Sequence, residues 1–218
     1  MMSDAQAREV VKAAFQAVHG RDPNLAEAQF FGALGMLEGG YGSAFSGAHN
    51  WGGVHACKPP EGSAIGDIYQ CESGPAIVVQ ESKDGNVAAT GYLWGMRVYP
   101  DDTQGEAHVL QLFARNYVPA WELVKAGKGR KAVYKMSELG YFGLAPEKYV
   151  EAVKRASTQI ANHVDEGNLA LDFGGSSGTD TGTDTGSGGG SGSGRGAGIL
   201  VGLGLVGVVA LKLLRRRR

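Results

Sequence analysis

Glu38 and Glu81 are the residues of this 218-residue chain best placed to do chemistry. Glu38 follows Leu34 by four residues and Phe30 by eight, so on a helix it lies on or beside the apolar face. Burial there disfavours the charged form and raises the carboxyl pKa. The position also falls in the last turn expected of that helix, where the negative end of the macrodipole raises it further. A carboxylic acid kept protonated near neutral pH can act as general acid in glycosidic bond cleavage. Glu81 continues the stripe of Ile77 and Val79 along an expected strand, while Gln80 and Ser82 point the other way. Two acids flanking the scissile bond are the common equipment of glycosidases. Taken singly, each also has an ordinary reading: a solvated last-turn glutamate and a charge at a hairpin tip.

The elements that must position them read as follows. Ser3-x-x-Gln6 is a capping box for a first helix running to about His19. Asp22-Pro23 starts a second, with Ala26, Phe30, Ala33, Leu34 and Leu37 at helical spacing, ending at Gly39-Gly40. A Gly-rich loop spans 39–53, where glycine lets a bulky substrate approach the chain closely. Residues 76–82 and 87–94 alternate as strands about Asp84-Gly85, a hairpin-turn signal. Thr103-x-x-Glu106 reads as a capping box for a helix reaching about Tyr117. Shorter helices are expected near 120–126 and 130–139. Pro146 opens a last one with Tyr149, Val153, Ala156 and Ile160 along one face. The sum is an α+β chain, mainly α-helical, with one inserted β-hairpin lobe.

Composition divides the chain. Residues 1–173 carry 15 Lys and Arg against 20 Asp and Glu, a balance of −5. That acidity argues against nucleic-acid binding by a basic surface. Residues 174–196 are almost all Gly, Ser, Thr and Asp, with a repeat at 178–181 and 182–185, as expected of a flexible linker. Residues 197–214 are apolar except for Lys212, and 215–218 are arginines. Eighteen helical residues rise about 27 Å, close to the thickness of a hydrocarbon core, so 197–214 reads as a transmembrane helix contacting the lipid membrane. The first residues lack the basic and apolar runs of a secretory signal peptide. A single C-terminal span would place the domain on a virion membrane or the bacterial inner membrane, facing the cell wall.

Several neighbours of Glu38 carry two readings each. Tyr41 and Trp51 could stack on sugar rings, or Trp51 could anchor the loop to the core. Asn50 could bond an acetamido group or pin the loop backbone. Arg97 could pair with an acid under the groove or serve structurally. Cys57 and Cys71 could close a disulfide in an oxidising compartment or stand as free thiols. His49, His55, Cys57 and Cys71 do not have the spacing of a zinc finger, so no metal and no cofactor is expected.

Four segments in order carry a resemblance. Glu38 is followed by Gly-rich sequence and then by Asn50-Trp51-Gly52-Gly53-Val54, which looks like the Asn-aromatic-Gly segment of lysozyme-like wall hydrolases. The segment 79–85, leading to Met96-Arg97-Val98-Tyr99, is similar to the Thr-x-Glu hairpin and Phe-Arg-x-Tyr segment of the bacterial β-N-acetylglucosaminidases of autolysins and flagellar rod-cap proteins. Gly140-Tyr141-Phe142-Gly143, with Pro146 and Tyr149, resembles that family's Gly-Tyr-Ala-Thr-Asp-Pro-x-Tyr motif. Met96 stands in place of the family's Phe, and 142–145 depart from its Ala-Thr-Asp run. The segment 57–72 has no counterpart. The resemblance implies a lysozyme-like fold and cleavage of the β-1,4 glycan of peptidoglycan. Glu38 would be the general acid, Glu81 the second carboxylate and Tyr141 a groove tyrosine. Cleavage by a lytic transglycosylase or muramidase through Glu38 alone, or a non-catalytic peptidoglycan-binding role in a virion, are the alternatives.

Overall fold

A computed structural model describes residues 2–40, 48–80, 93–142 and 145–174. Among them are six helices, α1 (Asp4–His19), α2 (Leu25–Gly39), α3 (Asp102–Asn116), α4 (Val118–Lys125), α5 (Gly129–Glu138) and α6 (Pro146–Val164). Three strands, β1 (Ile68–Cys71), β2 (Gly74–Gln80) and β3 (Leu93–Arg97), form one antiparallel sheet in the order β1-β2-β3.

Helix α1 starts at the expected capping box of Ser3 and Gln6 and stops at Gly20, whose φ of 65° a side chain would resist. Helix α2 begins two residues later than Asp22-Pro23 suggested. Asn24 is its N-cap and Glu27 closes the box, so local side-chain bonding, not the proline, sets the start. Of its 15 residues, 12 are buried, which makes α2 the central helix rather than a surface one. Helix α1 packs on α3, α2 on α6, and α4 on α5. Phe15, Phe30, Phe31, Phe113 and Trp121 meet edge-to-face at 5.0–6.4 Å in the resulting core. Each such buried ring contributes about 1.5–3 kcal/mol. The expected face of α6 is buried throughout. Gln29 of α2 ties down the chain after α6, donating to Asp165 and to the Asn168 carbonyl and accepting from the Ala170 amide.

Two expectations need correction. The sheet is not a lone hairpin. Strand β1 adds an edge to β2 with Ile68 opposite Ile77, and β3, described over 93–97, runs past the expected end at residue 94; residues 87–92 lie outside the described residues. The Asp84-Gly85 turn lies outside the described residues. The second correction concerns the membrane: among the described residues no helix is long and apolar enough to cross one. The segments 174–196 and 197–214 expected as linker and span lie outside the described residues, apart from Gly174.

Candidate active site

The central helix carries Glu38 to the place where α2, α6 and the loop 48–56 meet. Glu38 is 7% exposed. The hydroxyl of Tyr149, from α6, donates to Glu38 Oε1. Among the described residues Glu38 Oε2 has no hydrogen-bond partner. Burial pushes the carboxyl up to about 8, against the opposing pull of the Tyr149 bond. No basic residue sits in the last turn of α2 to relieve it. Near neutral pH this group is a protonated acid with one free oxygen, which is what proton donation requires.

The loop that faces it is fixed by its own residues. Asn50 is fully buried and pins the backbone, donating through Nδ2 to the carbonyls of Val54 (2.9 Å) and Arg97 (3.1 Å) and accepting from the Val54 amide (2.8 Å). Of its two readings, the structure gives the backbone one. Trp51 is 0% exposed; its ring lies against Gly35 of α2 and its Nε1 donates to Asp102 at 3.0 Å. A ring so enclosed anchors the loop and offers no face to a sugar. Gly39 and Gly35 are required here, because a Cβ would collide with the Asn50 carbonyl at the first and with the indole at the second. Gly53 has φ 59°, and a Cβ there would sit 3.5 Å from Glu38 Oε2, so the loop backbone faces the free oxygen.

Tyr141 is 2% exposed and packs between Phe113 and Tyr117. Burial first, then Glu38, raises its hydroxyl pKa. It belongs to the buried core rather than to a surface lining. Phe142 stacks on Tyr149 at 4.0 Å and holds the hydroxyl on the acid. Tyr41 and Glu81 lie outside the described residues.

Glu106 is the residue that sequence reading misplaced. Asp101, not Thr103, caps α3 by accepting from the Gln104 amide. Glu106 is fully buried, and among the described residues neither carboxylate oxygen has a hydrogen-bond partner. Burial raises its pKa far above the ordinary value, and the same Tyr141 feels both it and Glu38. The signal was present: Glu106, Val109, Leu110 and Phe113 fall on one helical stripe, as Glu38 does with Leu34. Glu27 shows what a buried carboxylate needs to stay charged. It accepts from Arg21 at 2.6 and 2.7 Å, from Trp121 at 2.8 Å and from the Asn24 amide at 2.9 Å. Burial raises its pKa, yet those bonds together leave it below the ordinary value.

Among the described residues Arg97 meets no acid. It donates to His108 Nδ1 at 2.9 Å and to the Ser73 carbonyl, tying β3 to α3 and to the β1–β2 turn. Burial, then Arg97 and Arg115, lowers His108 to about 4, so it is neutral and can accept. Cys57 and Cys71 form a disulfide with Cα atoms 5.9 Å apart, which removes both as thiolate ligands. Among the described residues no group of three or more His, Cys, Asp or Glu could hold a metal ion.

No family model, no curated protein and no solved structure matches this chain. The likeness to glucosaminidases therefore rests on its sequence motifs. Among the described residues the fold is six helices and a three-stranded sheet, with no helix long and apolar enough to cross a membrane.

Proposed function

We propose that this protein cleaves the β-1,4 glycan backbone of peptidoglycan as an endo-β-N-acetylglucosaminidase, with Glu38 as general acid. One observation carries the reading: a carboxyl at the end of the central helix, buried, held protonated to about 8, with one oxygen free beside a glycine loop. In the reaction Glu38 gives its proton to the glycosidic oxygen as the bond from C1 breaks. The leaving saccharide departs with a new hydroxyl. Positive charge grows at C1, and Glu81 is the carboxylate assigned to stabilise it or to activate water. Water supplies the oxygen at C1 and its proton restores the acid. Tyr149 positions Glu38 through its hydroxyl.

The test is digestion of purified peptidoglycan by the full chain, with the new ends identified by mass spectrometry. Reducing N-acetylglucosamine ends are expected. Reducing or anhydro N-acetylmuramic ends would move the cut to the other bond. Freed peptides on intact glycan would overturn the glycosidase reading.

A further inference from the structure

We infer that Trp94, braced by His55, is a stacking subsite for one hexopyranose ring of the glycan strand, on the sheet face that adjoins Glu38. The inference rests on the glycan-cleaving reading. The face is defined by register. Val79 pairs with Trp94, Ile77 with Met96, and Ile68 with Ile77, so these side chains share one side of the sheet. His55 bridges to Met96 and belongs to the same side. Ala48, from the loop before Trp51, covers Ile77 and Met96 at its centre. That loop reaches the acid at Gly53, and two residues further on is His55. Two residues span at most about 7 Å, the scale of one saccharide unit.

The side chain fits the task that Trp51 cannot perform. Trp94 is 38% exposed, whereas Trp51 is enclosed and Trp121 is 8% exposed. The His55 ring stands against the indole at 5.2 Å with an interplanar angle of 67°, which fixes its orientation from one side. Two-fifths of an indole is about 90 Å², the face of a sugar ring. A stable protein interface needs about 1,000 Å² or more, well above what Trp94 and Ile68, 70% exposed on the same side of the sheet, offer together.

The probe is chitotetraose, the soluble β-1,4 tetramer of N-acetylglucosamine, added to the full-length Glu38→Gln protein so that nothing is cut. Because Trp94 is the exposed indole among the three, ligand binding should change tryptophan fluorescence and shield it from acrylamide. Both Trp94→Ala and Trp94→Phe in that background remove the reporting indole, so calorimetry decides: Trp94→Ala should weaken binding about tenfold or more, while Trp94→Phe retains most of the affinity. In otherwise unaltered enzyme, Trp94→Ala should raise KM for peptidoglycan and leave kcat within about twofold, with an unchanged melting curve. Unaltered calorimetric affinity in Trp94→Ala, with Glu38→Gln inactive, overturns the subsite and leaves the glycosidase reading standing. Absence of glycan binding together with full lysis by Glu38→Gln overturns both.

Discussion

Three buried glutamates differ in how many donors face them, and that difference assigns their roles. Among the described residues Glu27 has four and is a structural anion; Glu38 has one and is an acid; Glu106 has none. Activity should fall above pH 8 as Glu38 ionises. The Tyr149 bond lowers that pKa, so Tyr149→Phe, which keeps the stack on Phe142, should move the alkaline limb of the kcat/KM profile upward. A ¹³C titration of the Glu38 carboxyl should show the same displacement. Glu106 pays no visible structural return for its burial. Replacing it with leucine removes two unpartnered oxygens and should stabilise the fold by about 1–3 kcal/mol in urea unfolding. The sign with pH follows from the raised folded-state pKa of both acids. Their contribution is fully present below the unfolded value of 4.5 and is lost as pH rises, for Glu38 until about 8, at roughly 1.4 kcal/mol per pH unit. Glu106→Leu should therefore flatten the decline of stability with pH, as well as raise the whole curve.

At the scale of elements, the sheet lobe depends on its crosslink. It has its own small cluster of Ala48, Ile77 and Met96, separate from the helical core. The Cys57–Cys71 disulfide closes about 15 residues, worth about 3 kcal/mol by loop entropy. Reduction, or Cys57→Ser with Cys71→Ser, should raise amide exchange in β1 and in 54–56 while α1, α2 and α6 stay protected. Uniform loss of protection would show the lobe and the helices to be one cooperative unit. The same lobe was the least legible part of the sequence. Strand β1 buries only Cys71 of its four residues, so no alternation announces it. In β3, Gly95 reads as a strand breaker, yet a Cβ there would collide with the Tyr69 hydroxyl and the Cys57 carbonyl. The helices were legible because their stripes are long: Tyr149, Val153, Ala156 and Ile160 of α6 are all buried. Glu38 was legible for the same reason. Glu106 was not, because a chance capping-box match at Thr103 supplied a sufficient local explanation. Trp51 and Asn50 were ambiguous because composition cannot say which side of a glycine loop faces the core.

At the scale of the molecule, a helix buried on nearly all sides ends in an acid, and a loop pinned by Asn50 and Trp51 closes over it. The described helices pack around that junction, and the sheet lobe adds an open face beside it. The formal charge balance of residues 1–173 is −5, which suits a neutral saccharide better than a polyanion. The central claim is that Glu38 donates the proton that breaks a glycan bond. The most direct measurement compares the full chain with its Glu38→Gln variant on purified peptidoglycan, following release of new reducing ends. The account predicts a fall in kcat/KM of about 100- to 10,000-fold with wall binding and the melting curve retained. Release of ends at an unaltered rate by a folded Glu38→Gln protein would contradict it.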